Sequence, residues 1–113
     1  MRRLLVAVVL LLVAAPAAAH SLLLEAAPAA NTVTSAPREV ALRFNNRIEK
    51  RLSRLRLVNE EGQARDLAVV VDGAADRLSA PGPDVAPGKY RLEWQVLSTD
   101  GHVVSGRYSF TVK

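Results

Sequence analysis

The sequence of 113 residues contains no cysteine. This absence excludes a disulfide framework, a thiolate metal site and a cysteine nucleophile. The only methionine is Met1, so a methionine-rich site for a soft metal ion is excluded as well. Histidine is nearly as scarce. Because His20 and His102 are the only two, a site built from three imidazoles is also excluded.

Long apolar runs are missing except at the start of the chain. Twelve apolar residues, from Leu4 to Ala15, follow a basic Arg2-Arg3 pair and precede small residues that end at Ala19. This three-part pattern is typical of a secretory signal peptide. The run is shorter than the roughly 20 residues that span a bilayer, although an uncleaved membrane anchor is the alternative. We therefore predict that residues 1–19 are removed, that residues 20–113 form one domain, and that the mature protein is secreted.

No charge of one sign dominates the mature chain. The whole sequence has 15 Lys and Arg against 11 Asp and Glu, and the predicted leader takes two of the arginines with it. The densest basic stretch, residues 47–56, also contains Glu49 and has only Phe44 as a nearby aromatic residue. A solvated strand and loop explains that stretch better than a nucleic-acid groove does. We predict no nucleic-acid partner.

Short alternating segments fill the rest of the sequence. Strong period-two alternation predicts strands over residues 39–45, 90–97 and 103–112, and weaker segments predict strands over 22–25, 53–58, 67–71 and 77–80. Residues 48–55 are an alternative helical turn. About seven short strands in one domain favour an all-β, Greek-key sandwich or barrel of the immunoglobulin-like or cupredoxin-like kind. The aromatic residues that we expect in its core are Phe44, Tyr90, Trp94, Tyr108 and Phe110.

Cleavage after Ala19 would make His20 the first residue of the mature protein. Its free α-amine and its imidazole Nδ1 could then chelate one metal ion together, as no internal histidine can. The two groups titrate near 7.7–8.0 and 6.5, so both are available to a metal near neutral pH. Cleavage after Ala17 fits the leader pattern too. It would place His20 third, where the amine, two backbone amides and the imidazole form a competing square-planar copper chelate.

The second histidine lies in the segment Ser98-Thr99-Asp100-Gly101-His102, between two predicted strands. Asp-Gly is a hairpin signal, so a plain tight turn is one interpretation. Asp100 and His102 are also two residues apart, a spacing that lets both side chains leave the chain on one side. With His20 they offer three nitrogens and one carboxylate oxygen. Such donors in a tetragonal plane suit Cu(II), which outranks zinc at most nitrogen and oxygen sites.

These segments together resemble the CopC family of periplasmic copper-binding proteins. The resemblance runs the length of the mature chain and rests on His20, 27–29, 36–37, 40–44, 87–90, 94–98, 100–102, Gly106 and 109–110. It implies a Greek-key barrel or sandwich that binds one Cu(II) through His20, Asp100 and His102. It also implies that the protein is a monomer that buffers or delivers copper, and that its partner is an inner-membrane copper transporter.

The sequence departs from this family in two respects. Without further methionines it cannot have the Cu(I) loop of some members, so we expect a site for Cu(II) alone. Many members have an acidic residue where this chain has Asn46. An amide could still accept a hydrogen bond from a coordinated amine, but without negative charge. Such supporting residues typically change metal affinity by 10–100-fold, which leaves the affinity of this site open.

Two other functions fit parts of the sequence. One is a metal-free interaction module of the cell envelope, in which His20 and His102 would lie apart. The other is a copper oxidase with a histidine brace, but Asp100 would occupy a position that oxygen activation needs open. We predict that the protein is not an enzyme, because residues 98–102 have no nucleophile elbow and no nucleotide-binding fingerprint is present.

Overall fold

A computed structural model describes residues 22–113, so the predicted leader and His20 lie outside its described part. No helix in these 92 residues is long and apolar enough to cross a membrane. One 3-10 turn, Lys50–Leu52, is the only helical element among them. The eight strands are β1 (Leu23–Ala27), β2 (Val33–Thr34), β3 (Glu39–Phe44), β4 (Arg54–Val58), β5 (Ala64–Asp66), β6 (Arg77–Pro81), β7 (Gly88–Leu97) and β8 (Val103–Val112).

The strands form two sheets. One has three strands in the order β1-β3-β6, and the other has five in the order β2-β8-β7-β4-β5. All neighbours are antiparallel except β2, which runs parallel to β8. The predicted all-β sandwich with Greek-key topology is confirmed.

The core lies between the two sheets and follows the alternation of the strands. Val40, Leu42 and Phe44 of β3 are at most 1% exposed, while the residues that alternate with them are exposed or half-buried. The five-stranded sheet contributes Leu92 and Phe110, together with other apolar residues of β4, β7 and β8. The prediction of an aromatic core is right for both phenylalanines. Tyr90, Trp94 and Tyr108 are instead half-buried and pack against its edge.

The weaker strand predictions are partly wrong. Residues 67–71 are not a strand, because Leu67 and Val69 pack against the core while the backbone makes only separate hydrogen bonds to Leu55 and Ser79. The neighbouring strand β5 lies earlier, at Ala64–Asp66, and is fully exposed. The helical alternative for residues 48–55 applies only to Lys50–Leu52, after which the chain enters β4.

Tyr108 ties the start of the described chain to the last strand. Its hydroxyl donates a hydrogen bond to the carbonyl oxygen of Pro28 at 2.5 Å, and its ring lies 5.9 Å from that of Trp94. Burial disfavours the phenolate and raises the pKa of Tyr108 from 10.0 to about 12.

We expect this raised pKa to make the fold sensitive to alkali. A group with a higher pKa in the folded state stabilises it fully below the unfolded value of 10.0, and this contribution is lost as the pH rises through about 12. Absorbance titration of the Tyr90→Phe variant should therefore give a phenolate midpoint for Tyr108 well above 10. Between pH 10.0 and about 12, the free energy of unfolding should fall less in the Tyr108→Phe variant than in the parent protein. A midpoint at 10 in the folded protein would contradict the burial argument.

Candidate metal centre

Residues 98–102 form the turn that joins β7 to β8. The Gly101 N–H donates to the carbonyl oxygen of Ser98 at 2.9 Å, and the Ser98 N–H donates to the carbonyl oxygen of His102, also at 2.9 Å. Gly101 has a φ of +90°, in the left-handed region that favours glycine. The Asp-Gly signal therefore does form a hairpin turn. Strands β7 and β8 pair continuously from Leu97 opposite Val103 to Gly88 opposite Val112. This pairing fixes the turn at one end of the sandwich.

This turn brings the side chains of Asp100 and His102 into contact. The distance from His102 Nδ1 to Asp100 Oδ2 is 3.1 Å. Asp100 Oδ1 accepts a hydrogen bond from the backbone N–H of His102 at 3.1 Å and another from the hydroxyl of Ser98. The sequence spacing predicted that the carboxylate and the imidazole could converge, and the structure does bring them together, in a turn rather than in extended backbone.

Ser98 also belongs to the site, although the sequence analysis gave it no role there. It is only 1% exposed, and its hydroxyl contacts both Asp100 Oδ1 and, at 3.1 Å, the carbonyl oxygen of His102. The serine thus braces the carboxylate from inside the fold. The available signal was a serine at the end of a predicted buried strand, two residues before an aspartate.

The turn also sets the charge of the site. The hydrogen bond from the Ser98 hydroxyl, followed by the one from the His102 backbone N–H, lowers the pKa of Asp100 from 3.8 to about 2. Asp100 is therefore an anion at every pH at which an imidazole can bind a metal. The side chains of Asp100 and His102 are 36% and 56% exposed, so an ion can reach both from solvent.

The imidazole has a defined orientation in this contact. A neutral His102 that donates its Nδ1 proton to Asp100 has its lone pair on Nε2. Histidine ligands of metal sites commonly donate their other ring N–H to a carboxylate, which fixes the ring and raises its basicity. The pair is therefore chemically suited to present one imidazole nitrogen and one negative charge to a cation.

The first described residues lie at the same end of the sandwich. The N–H of Leu22 donates to Asn45 Oδ1 at 2.8 Å, and the N–H of Asn45 donates to the carbonyl oxygen of Leu22 at 3.0 Å. Just beyond, Ile48 pairs with Ser98 in an isolated bridge. The start of β1, the end of β3 and the 98–102 turn are thus neighbours.

The other predicted site residues have different outcomes. His20 lies outside the described residues, two positions before Leu22, so the predicted ligand set stays a prediction. Asn46 is half-buried and lies between Asn45 and Ile48, at this same end of the fold. Within residues 22–113, no three His, Asp or Glu side chains gather as a metal site. Asn45, which anchors Leu22, was missed because nothing in the sequence marks an amide that pairs with a distant backbone.

Comparison with known proteins gives the class of this small β-sandwich. The CopC domain family matches residues 23–113. The crystal structure of CopC from Methylosinus trichosporium OB3b superposes with a TM-score of 0.75, at 33% identity, over 83% of this chain and 94% of that one. The chain belongs to the CopC family.

Two curated relatives are similar to this chain over most of its length. Copper resistance protein C of Xanthomonas campestris pv. juglandis is 34% identical over 110 residues, which cover 90% of this chain and 87% of the relative. Protein YobA of Escherichia coli strain K12 is 33% identical over 99 residues, covering 84% and 80%. In each case the match spans most of both proteins.

Proposed function

We propose that this protein binds one Cu(II) ion through His20, Asp100 and His102, and that it buffers or delivers copper in the periplasm. The observation that carries the proposal is the 3.1 Å contact between His102 Nδ1 and Asp100 Oδ2. Ser98 at the start of this turn pairs with Ile48, three residues after the Asn45 that binds Leu22. Copper is the cargo of this protein, and its role is capture rather than turnover.

The donor set fits Cu(II). His20 would supply its α-amine and one imidazole nitrogen, His102 a second imidazole, and Asp100 a carboxylate that is ionised down to about pH 2. Three nitrogens and one oxygen suit the tetragonal plane of Cu(II), whereas a Cu(I) ion prefers the sulfur ligands that this chain lacks. Reduction of the ion would therefore favour its release to another protein.

The fold supports this ligand set by bringing distant segments to one place. Two hydrogen bonds join the backbone N–H and carbonyl oxygen of Leu22 to Asn45. They fix the position of the chain two residues after His20. The bridge between Ile48 and Ser98 then connects that corner to the turn with Asp100. Asn46 lies between these contacts, where its amide would accept a hydrogen bond from a coordinated amine.

We place this activity in the periplasm because the leader pattern of residues 1–19 is a secretory one. The protein would act there as a monomer and exchange its ion with an inner-membrane copper transporter of the type paired with this family. The proposal of a transporter as partner rests on the family resemblance.

A test of the ligand set compares two mature proteins, one that begins at His20 and one with a single alanine added before it. Cu(II) titration followed by EPR should give one tightly bound ion with an axial nitrogen and oxygen spectrum for the first protein. The added alanine converts the amine of His20 into an amide, so the second protein should bind far more weakly. Equal binding by both proteins would refute a terminal chelate at His20.

A further inference from the structure

The outward face of the five-stranded sheet has an open groove that is separate from the copper residues. Its volume is about 490 Å³. Strands β4, β7 and β8 form its floor, and neither Asp100 nor His102 lines it. The residues that line it are Arg54, Arg56, Glu93, Trp94, Gln95, Ser105, Gly106 and Arg107.

Strand register gathers three arginines around this groove. Arg54 lies opposite Gln95, and Arg56 lies opposite Glu93. On the other side of β7, Arg107 also lies opposite Glu93. All three arginines are exposed and belong to the outward set of their strands.

The acidic residues of this face are already engaged. Glu93 Oε2 lies 3.4 Å from Arg91 Nε, and Asp66 Oδ1 lies 3.3 Å from Arg56 Nε. Within residues 22–113, neither Arg54 nor Arg107 forms an ion pair. Two guanidinium groups on strands that flank β7 therefore face solvent with no counter-charge of their own.

We propose that this groove is a docking surface for an acidic segment of a partner protein, one that presents two or more carboxylates to Arg54 and Arg107. Charge complementarity carries the proposal. The guanidinium group binds planar carboxylates through paired hydrogen bonds, and arginine is enriched at protein interfaces for this reason. Arg54 and Arg107 are two inter-strand spacings of about 4.8 Å apart across the sheet and two residues apart along β7, a diagonal of about 12 Å. Carboxylates four residues apart on one extended segment, about 13 Å, can reach both.

The groove lies close to the turn that contains Asp100 and His102. Ser105 at its end is three residues from His102 along β8, which corresponds to about 10 Å in a strand. Val103, between them, is 57% exposed. A partner bound in the groove would therefore have its next residues beside the 98–102 turn. Docking itself needs no metal, so it does not depend on the proposed copper site.

The experiment uses the protein purified after export, labelled with ¹⁵N, and a short synthetic peptide of alternating glutamate and serine. Backbone signals of residues 54–56, 93–95 and 105–107 should shift on titration, and high salt should abolish the effect. A peptide with glutamine in place of glutamate should cause no such shifts. The double variant Arg54→Gln/Arg107→Gln should weaken peptide binding by about tenfold, as expected for loss of two exposed ion pairs.

The matched control is Arg38→Gln/Arg65→Gln, which removes the same charge from exposed positions outside the groove. Its peptide affinity should stay close to that of the parent. Equal weakening of peptide binding by both double variants would show that only the net charge matters and would overturn the proposal. Peptide-induced shifts at residues outside the groove would overturn it as well. Binding to phosphatidylglycerol vesicles that depends on Arg54 and Arg107, with no peptide binding, would assign the groove to a lipid surface instead.

Discussion

Replacement of His102 by alanine is expected to weaken Cu(II) binding by about 100-fold or more. Loss of a residue that only orients a metal ligand typically costs 10–100-fold, and His102 is predicted to be a ligand itself. Asp100→Asn should cost less, because the amide keeps a similar shape and an oxygen that can still accept the imidazole N–H, and only the negative charge is lost. Competition with a Cu(II) chelator at neutral pH measures both affinities on one scale.

The matched control for these variants is Asp84→Asn, which makes the same charge change at an exposed position away from the turn. Its affinity should equal that of the parent. Thermal unfolding without copper should show that the His102→Ala protein still folds, since that side chain is 56% exposed. If His102→Ala bound copper as tightly as the parent, the ion would be held by the chain terminus alone and the assignment of the turn would be wrong.

Gly106→Ala should be the most damaging single-methyl change in the five-stranded sheet. A Cβ atom at this position would lie 2.2 Å from Cζ2 and 2.6 Å from Cε2 of Trp94, so the indole ring or the strand must move. Overpacking of this kind costs about 1–3 kcal/mol in the free energy of unfolding. For a domain of this size each kcal/mol lowers the melting temperature by roughly 4–8 °C, which calorimetry will detect.

A second substitution separates a steric cause from a backbone one. Because the expected clash is with one ring, Gly106→Ala in a Trp94→Leu background should cost much less than it does alone, giving a clear coupling energy. Ser105→Ala, at an exposed neighbouring position, should be nearly neutral. Additive losses in the double variant would show that Trp94 is not what excludes the methyl group.

Alternation along the chain was sufficient to predict the strands that build the core. The outward and inward residues of β3, β7 and β8 are separated cleanly in the sequence, and the structure places them on the expected faces. The segment 67–71 is a continuous apolar run without such alternation. It packs as irregular chain, with Leu67 and Val69 against the core and only separate backbone hydrogen bonds to Leu55 and Ser79. Strands as short as β2 and β5 have no periodicity to detect.

The candidate site was predictable only where its residues are close in sequence. Asp100 and His102 are two positions apart, and their contact follows from a turn whose glycine is visible in the sequence. The Ser98 hydroxyl bonds within its own turn, but its burial is set by tertiary neighbours. The hydrogen bond from Leu22 to Asn45 joins residues 23 positions apart, so no local pattern marks it. The role of His20, Asp100 and His102 as copper ligands stays a prediction.

The order of strands in the larger sheet constrains when the protein can fold. Strand β8 lies between β7 and β2, although it is the last strand in sequence, and β2 pairs with no other strand among residues 22–113. Thr111 and Val112 must therefore be available before Val33 and Thr34 can pair. On the proposed export from its N-terminus onward, the chain would stay open until its final strand had crossed the membrane. Proteolytic loss of the last eleven residues would accordingly remove β8 and leave both β2 and the 98–102 turn without the strand that fixes them.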